Sequence, residues 1–225
     1  MKIENSIALV TGANRGIGLA LTQQFAARGD RVIAVCRKSS DALEATGAQV
    51  EAGIDVTDEA AVAALAKRLA GTRIDILVPN AGILERDSLE SLDGFDGFRR
   101  QIAVNAMGPL LVVHALRERL ADGAKIGLIT SRMGSVEDNT SGGYYGYRAS
   151  KAALNAIGKS LALDLAPRGI SVVLLHPGYV GTDMVGGHGD VTPDQAATQL
   201  IARIDALTPK QSGTFQHANG TSLPW

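Results

Sequence analysis

The sequence has little cysteine, no long hydrophobic run and no excess of charge of one sign. Cys36 is the only cysteine among 225 residues, so no intramolecular disulfide can form and a reducing compartment is expected. Apolar runs stay well below the roughly 18 residues that a membrane-spanning helix needs. The first apolar strand begins so near Met1 that we expect no secretion signal. These absences predict a soluble, cytoplasmic protein without a membrane partner.

Charge is nearly balanced, with 22 basic and 23 acidic residues and a formal net charge of −1. The basic residues are scattered and form no block, which is typical of a solvated surface rather than of a site for nucleic acid or anionic lipid. The histidines, at positions 114, 176, 188 and 217, lack the spacing of metal ligands. We therefore expect neither a nucleic-acid partner nor a metal site.

Short apolar, β-branched runs alternate along the chain with segments of helical periodicity. The predicted strands cover residues 7–10, 32–36, 50–56, 74–78, 126–129, 172–175 and 213–216, and the predicted helices 17–28, 58–70, 95–120, 149–166 and 193–207. Asp58 and Thr192 are predicted N-caps of two of these helices. Alternation of this kind predicts an α/β fold, a doubly wound parallel sheet of about seven strands with helices on both faces. No linker or repeat interrupts it, so residues 1–225 are expected to form a single domain.

A glycine-rich turn follows the first predicted strand. The stretch VTGANRGIGLA, residues 10–20, places Gly12, Gly16 and Gly18 before an amphipathic helix. Glycines let backbone amides approach a pyrophosphate, which the free N–H groups and the dipole at the helix N-terminus attract. Glycine also marks ordinary loops. The position between a first strand and a first helix nevertheless favours a dinucleotide-binding site.

The motifs and their order resemble the short-chain dehydrogenase/reductase family over essentially the whole chain. Thr11 and the glycines match the family pattern T-G-x-x-x-G-x-G. The motifs that follow in the family order are Asn80-Ala-Gly, Asn105, Ser131, Tyr147-x-x-x-Lys151 and Pro177-Gly178. The stretch ITSRMGSVEDNTSGGYYGYRASK and the final GTSLPW are most similar to the C-factor and sniffer-type carbonyl reductases. The resemblance implies a Rossmann-like fold and an NAD(P)-dependent interconversion of carbonyl and alcohol.

The resemblance also implies which residues bind the cofactor. The implied contacts are Gly12, Asn14, Arg15, Gly16, Ile17 and Gly18 in the turn, Asp55 and Val56 at the adenine, Asn80, Ala81 and Gly82 at the ribose, and Pro177, Gly178, Val180 and Thr182 at the nicotinamide. Pro79 stands where the family usually has asparagine, and because proline has no N–H, any hydrogen bond from that amide is absent. For Asp55, an ordinary turn at a strand end remains the alternative.

Charge at the end of the second strand indicates which nicotinamide cofactor is used. NAD sites place an acid there for the ribose 2′-hydroxyl, whereas an arginine accommodates a 2′-phosphate. Here Cys36 is followed by Arg37 and Lys38, no acid occurs before Asp41, and Arg15 supplies a cation from the neighbouring turn. We expect NADPH or NADP+ in preference to NADH, with ordinary surface arginines as the alternative interpretation.

One of three closely spaced tyrosines has a lysine one helical turn away. Residues i and i+4 share a helix face, and of Tyr144, Tyr145 and Tyr147 only the last has a lysine there, Lys151. An unperturbed phenol has a pKa of about 10, which a nearby ammonium lowers. The resemblance assigns Tyr147 as general acid and base, and Lys151 as its activator and as a clamp on the cofactor ribose. The other two tyrosines are interpreted as packing or pocket-rim residues.

Ser131 and Asn105 complete the catalytic set that the resemblance implies. Ser131 follows the fifth major strand, at the sheet edge where α/β proteins bind ligands, and is assigned to the substrate carbonyl. Ser135, farther from the strand end, is the alternative. Asn105 precedes Pro109, so a local bend is expected. The resemblance assigns Asn105 a water that relays protons to the lysine, and a plain helix bend is the alternative.

The loop after Thr182 and the two long predicted helices give expectations about the substrate and the oligomeric state. Few residues, rich in glycine, separate Thr182 from the helix at 193, which indicates a permissive lid over small aldehydes or ketones. The two long helices, 95–120 and 149–166, carry apolar residues on more than one face, so a homodimer or homotetramer through them is expected. A cofactor-binding signalling protein of the C-factor type, with vestigial activity, is the alternative function.

Overall fold

The computed structural model describes residues 6–92 and 94–225, whose strands form one parallel sheet. The strands are β1 (Ile7–Thr11), β2 (Arg31–Val35), β3 (Gln49–Glu51), β4 (Ile74–Val78), β5 (Leu120–Ile129), β6 (Ser171–His176) and β7 (Thr214–His217). Their order across the sheet is β3-β2-β1-β4-β5-β6-β7, and each pair of neighbours is parallel. The predicted α/β fold with a doubly wound, Rossmann-like sheet is confirmed.

Helices alternate with these strands along the chain. They are α1 (Gly16–Ala27), α2 (Asp41–Glu44), α3 (Glu59–Arg68), α4 (Asp96–Ile102), α5 (Gly108–Leu116), α6 (Tyr145–Asp164) and α7 (Pro193–Ala206). Asp58 and Thr192 cap α3 and α7 as predicted, because their side-chain oxygens accept hydrogen bonds from amides of the first turn. Within the described part of the chain, no helix combines the length and apolar content needed to cross a bilayer.

The helices cover both faces of the sheet and enclose two hydrophobic cores. Phe25 of α1 and Leu200 of α7 pack in the core on one face. Leu65 of α3, Leu116 of α5 and Leu154 of α6 pack in the core on the other face. Because side chains of a strand point alternately to the two faces, each central strand contributes to both cores. This burial explains why the strand sequences are apolar throughout.

The predicted helix 95–120 is divided by a π-helical turn. α4 passes into a π-helix at Ala103–Met107, where the Gly108 amide bonds to the Ala103 carbonyl five residues back. In a regular α-helix the carbonyl of Asn105 would accept from residue 109, but Pro109 has no N–H. The chain also enters β5 at Leu120, earlier than predicted. The predicted strand 126–129 is shorter because only this last part of β5 is buried throughout.

The helix that carries Tyr147 begins earlier than the predicted residue 149. α6 starts at Tyr145, after Tyr144 in a left-handed conformation with φ of 51°. The amide of Tyr144 donates to the Asp87 carbonyl at 2.9 Å, and the amide of Gly146 donates to the Asp87 carboxylate at 2.9 Å. Asp87, from a distant loop, thus satisfies N–H groups that a helix start leaves free. Local sequence carries no sign of this partner.

The sheet opens for a ligand between β1 and β4. β1 pairs with β2 on one side and with β4 on the other, so the connections that leave these two strands run in opposite directions. In a doubly wound sheet such a switch point leaves a crevice at the carboxyl ends of the strands. The glycine-rich turn after β1 lies at this crevice.

Candidate active site

A cleft of about 1040 Å³ opens at the carboxyl ends of the central strands. Its wall is built by the turn after β1, by the ends of β2, β4, β5 and β6, and by the start of α6. Every residue named from the sequence as a cofactor contact lies on this wall, and so do Ser131, Tyr147 and Lys151. Asn105 does not line the cleft and is fully buried behind it. The fold thus brings residues from the whole length of the sequence to one place.

The turn after β1 is packed so closely that glycine is required at two positions. A Cβ on Gly18 would collide with the carbonyl oxygen of Gly12, and Gly12 itself has φ of +67°, a conformation that L-residues rarely adopt. The Thr11 hydroxyl accepts hydrogen bonds from the amides of Asn80 and Ala81, both at 3.1 Å. The turn and the loop after β4 are therefore held together, with the N-terminus of α1 facing the cleft. Such a cradle fits the pyrophosphate of a dinucleotide.

The end of the cleft beside β2 is rich in cations. Arg15, Arg37 and Lys38 line it. Arg37 Nη1 lies 4.0 Å from Asp55 Oδ2, but hydrogen bonds from Thr57, followed by Arg37, lower the pKa of Asp55. The Arg37–Asp55 contact of 4.0 Å is longer than a hydrogen bond, so the largely exposed Arg37 guanidinium keeps its N–H groups available to an anion. The residues here fit a cofactor with an additional phosphate on its ribose.

Tyr147 and Lys151 lie one turn apart on α6 and are both buried, with 8% and 5% of their surfaces exposed. Lys151 Nζ donates to the Ile129 carbonyl at 3.0 Å and lies 5.7 Å from the centre of the Tyr147 ring. Of the other two tyrosines, Tyr144 lines the cleft, whereas the exposed Tyr145 does not. The geometry therefore selects the same phenol as the helical spacing.

Burial determines the protonation of both groups in the protein alone. It raises the pKa of Tyr147, while a hydrogen bond with Ser131 acts in the opposite direction. Burial also lowers the pKa of Lys151 to about 8. The lowering of the Tyr147 pKa by Lys151 stays a prediction from the sequence, since in the protein alone the lysine donates its hydrogen bond to the Ile129 carbonyl. At neutral pH the phenol is protonated and is a proton donor.

Ser131 and its alternative, Ser135, have different hydrogen-bond partners. The Ser131 oxygen accepts from the Met133 amide at 3.1 Å, and its hydroxyl is hydrogen-bonded with the Tyr147 phenol in the cleft. Ser135 donates to the Trp225 carbonyl and accepts from the Asp138 amide, both at 3.1 Å. Its hydroxyl is thus used in holding the loop after β5. The geometry favours Ser131 as the hydroxyl at the reacting end.

Asn105 ties the π-helical turn to the loop after β4. Its side-chain nitrogen donates to the Ile83 carbonyl at 2.8 Å and to the Ser150 hydroxyl at 3.0 Å, and its side-chain oxygen accepts from the Ile83 amide at 2.8 Å. A Cβ on Gly82 would lie 3.2 Å from that oxygen and 3.7 Å from Lys151 Nζ. Asn105 and the lysine therefore flank the same glycine. The Asn105 side chain is thus used in structural hydrogen bonds, and its main-chain carbonyl has no α-helical donor because residue 109 is proline.

Some residues of the cleft wall were not predicted from the sequence. Arg86, Arg132 and Arg148 line it, and so does His176 at the end of β6. Burial, followed by the charges of neighbouring residues, lowers the pKa of His176 to about 4, so its imidazole is neutral at neutral pH. In the sequence each of these arginines lies close to a motif residue: Arg86 follows Gly82 by four residues, Arg132 follows Ser131, and Arg148 follows Tyr147. This closeness is the feature by which they could have been predicted.

Across residues 6–92 and 94–225, no group of three or more His, Cys, Asp or Glu could hold a metal ion.

The buried ammonium should make the stability of the cofactor-free protein depend on pH. Because the Lys151 pKa falls from 10.5 to about 8 on folding, folding buries a charge below pH 8, and this cost disappears as pH rises toward 10.5. Lys151→Met should therefore raise the free energy of unfolding at pH 7 by up to about 3 kcal/mol, and by less at about pH 9.5. Urea unfolding measures both. A gain independent of pH, or an equal gain from Lys159→Met at an exposed position of the same helix, would contradict this expectation.

Comparison with known proteins places this geometry among oxidoreductases. The chain is 48% identical over 226 residues to the 1-hydroxy-2-glutathionyl-2-methyl-3-butene dehydrogenase of Rhodococcus sp. (strain AD45), with 98% of this chain and 100% of that protein covered. It is 42% identical over 155 residues to the C-signal of Myxococcus xanthus, with 68% of this chain and 93% of that protein covered. The NADPH-bound carbonyl reductase from chicken fatty liver superposes with a TM-score of 0.89 at 31% identity, covering 99% of both chains.

The family assignment follows from the extent of the match. The model of the family described as short chain dehydrogenase matches residues 6–204, which include the glycine-rich turn, Ser131 and the Tyr147–Lys151 pair. The resemblance inferred from the ordered motifs is therefore confirmed. This chain belongs to the short-chain dehydrogenase family.

Proposed function

We propose that the protein is an NADP(H)-dependent oxidoreductase that interconverts a carbonyl group and an alcohol. The observation that carries the proposal is the shape of a single cleft. One end presents a glycine-rich cradle and cations, and the other end presents Ser131, Tyr147 and Lys151. A dinucleotide lying along this cleft places its reactive ring at the end where a proton donor and a hydrogen-bond donor converge. That combination suits reduction of a carbonyl.

The choice of the phosphorylated cofactor rests on charge and on a structural relative. Arg37 and Lys38 follow β2 where NAD-dependent enzymes hold the ribose diol with a carboxylate, and Arg15 faces them across the cleft. A guanidinium binds a phosphate dianion through paired hydrogen bonds. The similar carbonyl reductase from chicken fatty liver is NADPH-bound. When bound, the nicotinamide supplies or takes up the hydride.

The remaining cofactor contacts are proposed by position on the wall. We propose Asp55 and Val56 as contacts of the adenine, Asn80, Ala81 and Gly82 as contacts of the ribose, and Pro177, Gly178, Val180 and Thr182 as contacts of the nicotinamide, and all of them line the cleft. A salt bridge of 3.1 Å joins Arg15 in the glycine-rich turn to Asp183, next to Thr182. This bond connects the two sides of the cleft over the place that the pyrophosphate takes.

Tyr147 acts as the acid that protonates the carbonyl oxygen. Burial keeps its hydroxyl protonated by raising its pKa, so the side chain is in the donating form for reduction. The Ser131 hydroxyl donates a hydrogen bond to the same oxygen, because its own oxygen is already bonded to the Met133 amide. In the direction of alcohol oxidation the phenolate takes the proton. The neighbouring ammonium of Lys151 stabilises that phenolate.

A proton path through Asn105 restores the phenol after each turnover. The main-chain carbonyl of Asn105 lacks its α-helical donor because residue 109 is proline. Asn105 and Lys151 lie on either side of Gly82. A water bound to that carbonyl connects the lysine ammonium to solvent, and the lysine passes the proton to the phenol. The side-chain bonds of Asn105 to Ile83 hold this arrangement in place.

The role of Tyr147 is tested by removing only its hydroxyl. Tyr147→Phe should lower kcat for carbonyl reduction by about 1000-fold, because the proton donor is lost, and should leave the Kd for NADPH within about twofold. NADPH consumption and fluorescence titration measure the two quantities. Tyr144→Phe, in the same cleft, is the matched control and should keep its kcat. Unchanged turnover in Tyr147→Phe would exclude the phenol as the proton donor.

The similarity to the C-signal of Myxococcus xanthus favours a second candidate, a cofactor-binding protein with a signalling role. The two functions differ in turnover. Tight NADPH binding without turnover, across a panel of aldehydes and ketones, would support the second candidate and contradict the enzymatic one.

Cofactor preference should depend on Arg37. Arg37→Gln should raise the Kd for NADPH about tenfold and leave the Kd for NADH nearly unchanged, because the lost bonds go to the additional phosphate. Fluorescence titration of both cofactors provides the comparison. Arg31→Gln, at the opposite end of the same strand, is the control. Equal weakening of both cofactors, or tighter NADH binding by the unmodified protein, would refute the assignment.

We further propose that the long helices form the contact between copies of the chain. Met107 in the π turn, Leu110 in α5 and Leu163 in α6 leave 60%, 40% and 66% of their surfaces exposed. Large exposed apolar side chains on one face of a protein favour an interface.

A homodimer or homotetramer is therefore expected in sedimentation velocity. Leu163→Glu should shift the protein toward monomer, because a carboxylate would have to be desolvated at the interface. Val136→Glu, at an exposed site in the loop after β5, should not. A monomeric unmodified protein would disprove the contact.

A further inference from the structure

The part of the cleft beyond Ser131 and Tyr147, here called the substrate end, has an excess of arginine. Arg86, Arg132 and Arg148 line it. The carboxylate beside them on this wall is Asp138, which is paired with Arg132. The guanidinium groups of Arg86 and Arg148 remain, and solvent or a ligand must balance their charge.

Arg148 is held in place by neutral oxygens. It donates to the Gly143 carbonyl at 3.2 Å, to the Ser141 hydroxyl at 2.9 Å and to the Met133 carbonyl at 3.5 Å. These bonds fix the guanidinium between the loop after β5 and the start of α6, and none of them neutralises its charge. A fixed and uncompensated guanidinium is well suited to bind a carboxylate.

Arg86 lies between two acidic residues that are bonded elsewhere. Glu85 forms a salt bridge with Arg100 at 2.7 Å, and Asp87 accepts from the Gly146 amide at 2.9 Å. Among the described residues neither of these carboxylates is paired with Arg86, although Asp87 Oδ1 is buried without a hydrogen-bond partner. The exposed Arg86 side chain reaches the cleft wall as a second free cation.

Apolar side chains lie on the same cleft wall as these cations and the reacting groups. Leu84, Met133, Tyr144, Tyr179 and Met184 line the cleft, and the last two keep 49% and 42% of their surfaces exposed. A substrate that fills this space has its reacting carbon on a short apolar segment. Its anionic part then extends to the arginines at the rim.

We propose that the substrate is an alcohol or carbonyl compound linked through a thioether to glutathione. This inference rests on the proposed oxidoreductase function. A glutathionyl group brings two carboxylates, which match the two uncompensated guanidinium groups, and one ammonium, which can remain in solvent. The relative that is 48% identical over nearly the whole chain is named for a glutathionyl alcohol. The arginines of this chain supply a physical reason for the same substrate class.

Three ketones that share a 3-oxobutyl thioether test the proposal, since they carry two, one and no carboxylates. They are the glutathione adduct, the N-acetylcysteine adduct and the neutral methyl thioether. With NADPH, kcat/KM for the glutathione adduct should exceed that of the neutral ketone by at least about tenfold, mainly through KM. Equal values for all three would overturn the proposal. Equal kcat/KM values for the two anionic ketones would show that a single carboxylate is sufficient for recognition, and would overturn the glutathionyl assignment.

Variants of the arginines show whether the preference comes from the substrate end. Arg86→Gln and Arg148→Gln should each reduce the ratio of kcat/KM for the glutathione adduct to that for the neutral ketone by about fivefold or more. Arg148→Lys, which keeps the charge, should retain most of the preference. Arg73→Gln, just before β4 at the amino ends of the strands, is the control and should leave kcat/KM for both ketones unchanged. A ratio that stays constant in both Gln variants would refute the assignment.

Binding separates this inference from the proposed function. If none of the three ketones were turned over, the oxidoreductase proposal would fail. Calorimetry with S-hexylglutathione on the NADP+-loaded protein would still show whether the substrate end binds a glutathionyl group. The unmodified protein should bind this thioether about tenfold more tightly than Arg148→Gln does. Added salt should weaken the binding, because exposed charges are screened. No binding by the unmodified protein would overturn the glutathionyl site.

Discussion

The buried ammonium of Lys151 is the constraint around which the reacting end of the cleft is built. Removing a charge from water is costly, and the hydrogen-bond partner that the described structure provides is the neutral carbonyl of Ile129. This bond ties α6 to the end of β5, and it thereby holds Tyr147 beside Ser131. The surrounding cores must stabilise the fold sufficiently to tolerate the buried charge. The buried ammonium thus lowers the stability of the protein alone.

Local charge along the cleft differs from what the overall composition indicates. A net charge of −1 gives no sign that cations gather at both ends of one crevice. Arg37 at one end and Arg148 at the other come from separate elements, and each lies near groups that cannot fully neutralise it. Because exposed charges act over about 10 Å or less, such local excesses matter to a ligand even where the molecule as a whole is almost neutral.

Much of the fold follows from patterns that are local in sequence. The periodicity of buried side chains predicts the strand and helix types, and Asp58 and Thr192 are recognisable N-caps because a cap bonds only to its own first turn. The glycines of the turn after β1 are recognisable from their spacing, although Gly12 packs against Asn80 and Ala81 of the distant loop after β4. Boundaries were less predictable where a distant partner was involved. Asp87, for example, starts α6 four residues before the predicted position.

By itself, therefore, the sequence determined the class of fold, the family and the candidate chemical groups, because each depends on residue type at a given spacing. Only the tertiary structure decided between Ser131 and Ser135, since the distinction lies in bonds to Trp225 and Met133. It also decided that burial raises the Tyr147 pKa in the protein alone. Desolvation and long-range partners are properties of the folded chain, and no local pattern encodes how deeply a side chain will be buried.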